Sequence, residues 1–225
     1  MSGTARAETV DRVIAAGVVA VVRLTDGAQL GEVIRALGDG GVRVIEITMT
    51  VPRAVALIES LAAALPPDVV LGAGTVLDAA IARDVIRAGA RFVVSPVFKR
   101  DVVAACCEAD CAVMPGAFTP TEILQAWEAG ADIVKVFPST SLGPTYVKDL
   151  RGPLPQVRLM PTGGVTRENA GAWIRAGAVA IGAGSSLVDP AAVQSGRFDI
   201  VRDNARAFVE AVAIARGQTP AGVAS

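Results

Sequence analysis

Four times in this chain a small residue and a glycine stand directly ahead of an apolar run: Gly40-Gly41-Val42, Ala88-Gly89-Ala90, Ala129-Gly130-Ala131 and Ala176-Gly177-Ala178. A glycine just past a helix end takes the left-handed conformation that stops the helix and turns the chain back, so the repeat predicts helix, turn and strand in alternation. Candidate strands lie at 18–23, 42–48, 69–72, 92–95, 112–114, 133–137, 158–161 and 179–182. Between them run segments with helical spacing, such as Leu30, Val33, Ile34 and Leu37, or Ile123, Leu124 and Trp127. Several open at an N-cap, as at Thr119-Pro120-Thr121-Glu122 and Thr166-Arg167-Glu168. With a helix over 6–16 ahead of the first strand, the expected fold is α/β: one (β/α)8 TIM barrel with an extra N-terminal helix, not an open doubly wound sheet.

A chain of 225 residues that is 52% hydrophobic can bury one sizeable core, so residues 1–225 are expected to form a single domain. Its barrel core covers about 18–187, and a flexible tail starts at about 217. A formal charge of −1 without a dense Lys/Arg cluster argues against nucleic acid or an anionic membrane as partner and for a small molecule. The apolar run 13–22 is too short to span a bilayer and leads into Arg23 instead of a small-residue cleavage site, which places the chain in the cytoplasm. Cys106, Cys107 and Cys111 lack a CxxC spacing and read as small buried hydrophobes.

Histidine is absent. That removes Ser/His/Asp and Cys/His triads, His-ligated zinc or iron, and imidazole acid/base chemistry, and leaves carboxylate, lysine, hydroxyl and backbone. Lysine is scarce too: Lys99, Lys135 and Lys148 are the whole set. Lys135 stands inside Asp132-Ile133-Val134-Lys135-Val136-Phe137-Pro138, a run otherwise fit for a strand buried on both faces. Burial there lowers the amine's pKa and yields the neutral form that attacks a carbonyl; the alternative is a lysine that snorkels from a strand end to water.

Glu46, in Val44-Ile45-Glu46-Ile47-Thr48, is a second charge in an apolar strand, and alternation puts it on the face of Val42 and Val44. It is either a structural partner for a buried cation or, beside Lys135, a proton carrier whose pKa burial raises. In the expected barrel, functional groups sit at the C-terminal strand ends, where Glu46, Thr48, Gly74-Thr75, Ser95-Pro96 and Lys135 all fall. Two glycine-bearing loops, Pro161-Thr162-Gly163-Gly164-Val165-Thr166 after the seventh strand and Gly182-Ala183-Gly184-Ser185-Ser186 after the eighth, offer bare backbone N–H groups to a phosphate; tight turns alone are the other reading.

Gly72-Ala73-Gly74-Thr75-Val76, Ser95-Pro96, Met114-Pro115-Gly116, Lys135-Val136-Phe137-Pro138 and Pro161-Thr162-Gly163-Gly164, in this order, resemble the motif series of the 2-keto-3-deoxy-6-phosphogluconate (KDPG) / 4-hydroxy-2-oxoglutarate (KHG) aldolases over about residues 18–187. The resemblance implies a (β/α)8 barrel, a homotrimer, and a class I lyase that needs no metal or other cofactor. It implies Lys135 as the Schiff-base lysine and Glu46 as the general acid/base. Thr75 and Thr162 would meet the pyruvyl part of a 2-keto acid, Gly163, Gly164, Gly184 and Ser185 would hold a distal phosphate, and Pro96 and Phe137 would also bind substrate.

Familiar members of that family carry an arginine four residues after the glutamate, where this chain has Thr50. Arg23, at the end of the first strand, is the nearest replacement for gripping the substrate carboxylate, and a strand-end cation in water is its plain alternative. The implied reaction is reversible cleavage of KDPG to pyruvate and glyceraldehyde 3-phosphate, an Entner-Doudoroff step. KHG or 2-keto-3-deoxy-6-phosphogalactonate as main substrate, a phosphosugar isomerase or epimerase, and a non-catalytic trimeric binding protein are the alternatives.

Overall fold

The computed structural model describes residues 4–25 and 27–219. Its strands are β1 Val18–Val22, β2 Val44–Thr48, β3 Val70–Gly74, β4 Phe92–Val94, β5 Ala112–Met114, β6 Gly116–Ala117, β7 Val134–Val136, β8 Leu159–Pro161 and β9 Ile181–Ala183. The expected strand ends are off by one or two residues, and the fifth run is longer than expected: it halts at Pro115, which has no N–H for a ladder, and resumes as β6. The N-terminal helix is Ala5–Ala16. Of the tail expected from 217, residues 220–225 lie outside the described residues.

β1 to β5 and β9 form one sheet in the order β5-β4-β3-β2-β1-β9, and β6-β7-β8 a second, with every pairing parallel. The sheets meet at two seams. The N–H groups of Asp132 and Lys135 donate to the carbonyls of Val113 and Pro115 at 3.0 and 2.9 Å. On the other side Val179 N–H donates to Leu159 O at 3.0 Å, beside a parallel bridge between Thr162 and Gly182. A curled parallel sheet results, with helices against its outer face.

The glycine repeat works as its sequence predicts. Gly41, Gly89, Gly130 and Gly177 have φ of 93°, 101°, 105° and 105°. The N–H of each following residue then reaches back into the last helical turn, Val42 to Leu37, Ala90 to Val85, Ala131 to Ala126 and Ala178 to Trp173. Asp110, at φ 50°, makes the same turn before β5, with Cys111 N–H bonded to Cys106 O. Because an aspartate does a glycine's work there, the repeat is invisible at that point in the sequence.

Strand alternation divides the core. Val18, Ala20, Val22, Ile45 and Ile47 pack outward against the helices, while Val19, Val44, Val70, Phe92, Met114 and Met160 pack inward. Val42, expected on the inner face, packs outward because it still belongs to the helix-ending turn before β2. Gly72 leaves room for the Phe92 ring, which a Cβ would meet at 2.4 Å. Val10 and Val13 bring the N-terminal helix into the inner cluster. Arg6 ties that helix to the start of the β7 run: its Nε donates to both Asp132 oxygens at 3.0 and 2.9 Å and its Nη2 to Gly130 O at 2.5 Å.

Cys106 and Cys111 are buried, and burial pushes both thiols up; Cys107 is only partly buried, against expectation. Among the described residues no helix is long and apolar enough to cross a membrane.

Candidate active site

Lys135 pairs across β7 with Met160 of β8, a member of the inner cluster, so its side chain points into the curl of the sheet. Glu46 enters from β2 on the face of Val44. Lys135 is 2% exposed and Glu46 1%. Burial holds the lysine amine below its ordinary pKa range; Arg23 adds to that shift and Glu46 opposes it. Burial likewise raises the Glu46 carboxyl, against the fields of Lys135 and Arg23. Desolvation therefore wins for both, and the pair is driven towards neutral amine and neutral acid.

Neither Glu46 oxygen has a hydrogen-bond partner among the described residues. The Lys135 amine makes no hydrogen bond or ion pair there either, and its Nζ lies 4.9 Å from the centre of the Phe137 ring. Space for the carboxyl comes from Gly74, at the end of β3: a Cβ on that residue would fall 1.8 Å from Glu46 Oε1. Thr75, next in the chain, has φ 60°, a strained conformation for a β-branched residue that costs about 1–3 kcal/mol. Pro96, after β4, is half-buried, and its carbonyl leaves no room for a side chain on Gly116.

Thr50 is tied to the end of β2 by hydrogen bonding. Thr48 Oγ1 donates to Val22 O at 3.1 Å, so in its 2.7 Å contact with Thr50 Oγ1 the proton comes from Thr50. Thr50 is exposed and in this arrangement turns lone pairs, not a donor, to its surroundings. Arg23 is exposed, follows β1, and is a cation whose field reaches both Lys135 and Glu46.

A cleft of about 260 Å³ opens at the C-terminal ends of β8 and β9. Gly163, Gly164, Gly184 and Ser185 line it, with Arg23, Phe137 and Thr162. The N–H groups of the first four make no hydrogen bond among the described residues, so they are available to an anion. Thr162 is buried, and its Oγ1 has no hydrogen-bond partner among the described residues. Thr50, Thr75 and Pro96 do not line this cleft; they belong to the part of the mouth around β2, β3 and β4.

The glycines of the two loops differ in the room around them. Gly164 has φ 72°, and a Cβ on it would strike Thr140 Cα at 2.8 Å. Gly184 has nothing within 4 Å of a Cβ, so it is the position where bulk enters open space. Sequence reasoning missed the space-making roles of Gly74 and of Gly182, whose Cβ would sit 2.3 Å from Thr162 Oγ1. Glycine inside a strand was the available signal, since it marks close approach by another group.

Comparison with known proteins agrees with this geometry. Residues 10–203 match the family described as "Aldolase: KDPG and KHG aldolase". The 2-dehydro-3-deoxy-phosphogluconate aldolase of Treponema pallidum is 38% identical over 197 residues, 86% of this chain and 91% of the relative. The 2-dehydro-3-deoxy-6-phosphogalactonate aldolase of Escherichia coli is 36% identical and covers 71% of this chain and 77% of its own length. Among solved structures, the KDPG aldolase of Legionella pneumophila, described with pyruvate captured at low pH as a covalent carbinolamine intermediate, superposes with a TM-score of 0.82 at 28% identity, over 89% of this chain and 97% of that one. A buried lysine and carboxyl that are the sole buried charges among the described residues, an anion-ready cleft and these matches have one explanation: the chain belongs to the KDPG and KHG aldolase family.

Proposed function

We propose that the chain reversibly cleaves KDPG to pyruvate and glyceraldehyde 3-phosphate through a Schiff base on Lys135. The observation that carries this reading is the unpaired, desolvated Lys135 amine next to the equally unpaired Glu46 carboxyl. Lys135 Nζ attacks the C2 ketone. Glu46, whose pKa burial raises, acts as the acid that gives a proton to the departing hydroxyl, so that water leaves and an iminium forms. The carboxylate so created accepts the C4 hydroxyl proton as the C3–C4 bond breaks and its electron pair moves into the iminium to give an enamine. The aldehyde leaves, Glu46 returns the proton to C3, and water releases pyruvate from the lysine.

The pyruvyl end would lie near Thr75, Pro96 and Phe137, with Thr162 over the reacting carbons. Its carboxylate would be met by Arg23, while Thr50 would shape the pocket without donating. The phosphate would lie on the free N–H groups of Gly163, Gly164, Gly184 and Ser185. Relatives named for the gluconate and for the galactonate substrate match this chain almost equally, at 38% and 36% identity, and KDPG is our choice between the two isomers.

We further infer that the strands close into one eight-stranded barrel within a single domain, β5 and β6 counting as one strand broken at Pro115. The hydrogen bonds at both seams support this. A homotrimer in the cytoplasm completes the proposal. Leu77, Val97 and Phe118, 47%, 51% and 38% exposed, follow β3, β4 and β6 and offer apolar surface for contact between copies.

Borohydride reduction with pyruvate is expected to add one pyruvate per chain, mapped to Lys135, with slower trapping as acid protonates the amine. An adduct on Lys99 or Lys148 would remove the assignment. Glu46→Gln should slow cleavage and deuterium exchange at the pyruvate methyl by about 10²- to 10⁴-fold while the fold persists in circular dichroism. Aggregation with equal loss of every step would instead mark a structural carboxyl. KDPG should exceed KHG in kcat/KM by at least about 10-fold, and Gly184→Val should shrink that gap. Equal loss on both substrates would make the loops mere turns. Light scattering should return three chain masses for the parent and fewer for Val97→Asp; a single chain mass for the parent would end the trimer reading.

A further inference from the structure

The loop between β8 and helix Ala170–Arg175 exposes donors to the cleft because its acceptors are occupied elsewhere. Asn169 Nδ2 donates to Gly164 O at 2.9 Å, and Asn169 Oδ1 accepts from Thr166 N–H at 2.8 Å. Ser186 Oγ, from the loop after β9, donates to Val165 O at 2.6 Å. Thr166 O accepts from the N–H groups of Asn169 and Ala170 at 3.2 and 2.9 Å. Three consecutive carbonyls, those of Gly164, Val165 and Thr166, are thus engaged, whereas the N–H groups of Gly163, Gly164 and Val165 make no hydrogen bond among the described residues.

That imbalance is not automatic. Gly163 and Gly164, at φ 88° and 72°, can rotate their peptide units readily, and a flipped unit would present a carbonyl oxygen where an anion is to bind. We propose that Asn169 and Ser186 are positioning residues: by holding the carbonyls of Gly164 and Val165 they fix the peptide unit that carries the unbonded Val165 N–H and anchor the loop just after Gly163 and Gly164, and so set the preference for a phosphorylated over an unphosphorylated 2-keto acid. Asn169 grips the loop from within by closing on Gly164 and Thr166 together. Ser186 joins it to the neighbouring loop, so the free N–H groups of Gly163 and Gly164 keep a fixed relation to those of Gly184 and Ser185. Ser186 lines the cleft, but its hydroxyl proton and the Asn169 amide are both spent on backbone carbonyls, so each acts through the loop, and a preorganised cradle saves the ordering cost at binding.

This inference rests on the phosphate reading of the cleft, and the kinetics separate the two. In coupled pyruvate detection, Asn169→Ala and Ser186→Ala are each expected to raise KM for KDPG by about 10-fold, equivalent to about 1.4 kcal/mol, with kcat within about 2-fold. kcat/KM for unphosphorylated KHG should move by less than about 2-fold, and Ser186→Thr, which keeps the hydroxyl, should match the parent. Equal losses on both acids, a fall in kcat at constant KM, or a Ser186→Thr as impaired as Ser186→Ala would overturn the positioning role. If the parent prefers KDPG and both alanine variants retain its KM, the clamp alone fails. If the parent shows no preference, the phosphate reading falls and takes the clamp with it.

Discussion

Desolvation of two ionisable groups inside a curled sheet is the constraint around which the rest of this molecule is arranged. A buried ammonium and a buried carboxylate are each costly, and the cost is lowest when the proton sits on the carboxyl and the amine is free. Lys135 and Glu46 approach that state because β7 and β2 carry them into the same interior, where neither finds a hydrogen bond among the described residues. For a class I aldolase the same state is productive, since a neutral amine is the nucleophile and a protonated acid is what carbinolamine dehydration consumes.

Space and backbone polarity are supplied largely by residues without chemistry of their own. Gly74 yields room to the Glu46 carboxyl, Gly182 to Thr162, and Gly72 to the Phe92 ring that fills the layer beneath. At the other side of the mouth the glycines of two loops leave N–H groups unbonded, a polarity suited to an anion that adds no buried charge beside Lys135. Arg23 at the rim acts on the pair by its field.

Much of this was legible in the sequence, for reasons that differ by residue. Lys135 and Glu46 stood out because charge is rare in strands covered on both faces. The glycine repeats marked helix ends because only a residue at ease with positive φ serves there, and the exception, Asp110, was missed for the same reason. Strand ends shifted by a residue or two, and Pro115 split a strand, because hydrogen-bond partners on neighbouring strands decide where a ladder stops. Thr50 could be seen as a departure from the family pattern. That its proton is spent on Thr48 could not, since Thr48 answers in turn to Val22 on the adjacent strand.

The sequence by itself determined the alternation of strands and helices, the inward face of Glu46, the burial of Lys135 and the family to which these motifs are similar, because periodicity, turn residues and rare buried charges are local properties. Only the tertiary structure decided that Gly74 must be bare to admit Glu46, that a side chain at Gly164 would meet Thr140 while one at Gly184 meets open space, and that Asn169 and Ser186 occupy the loop's carbonyls. These facts depend on distances between segments far apart in the chain. Such distances are fixed when the parallel sheet curls and brings the ends of β2, β3, β7, β8 and β9 to one mouth.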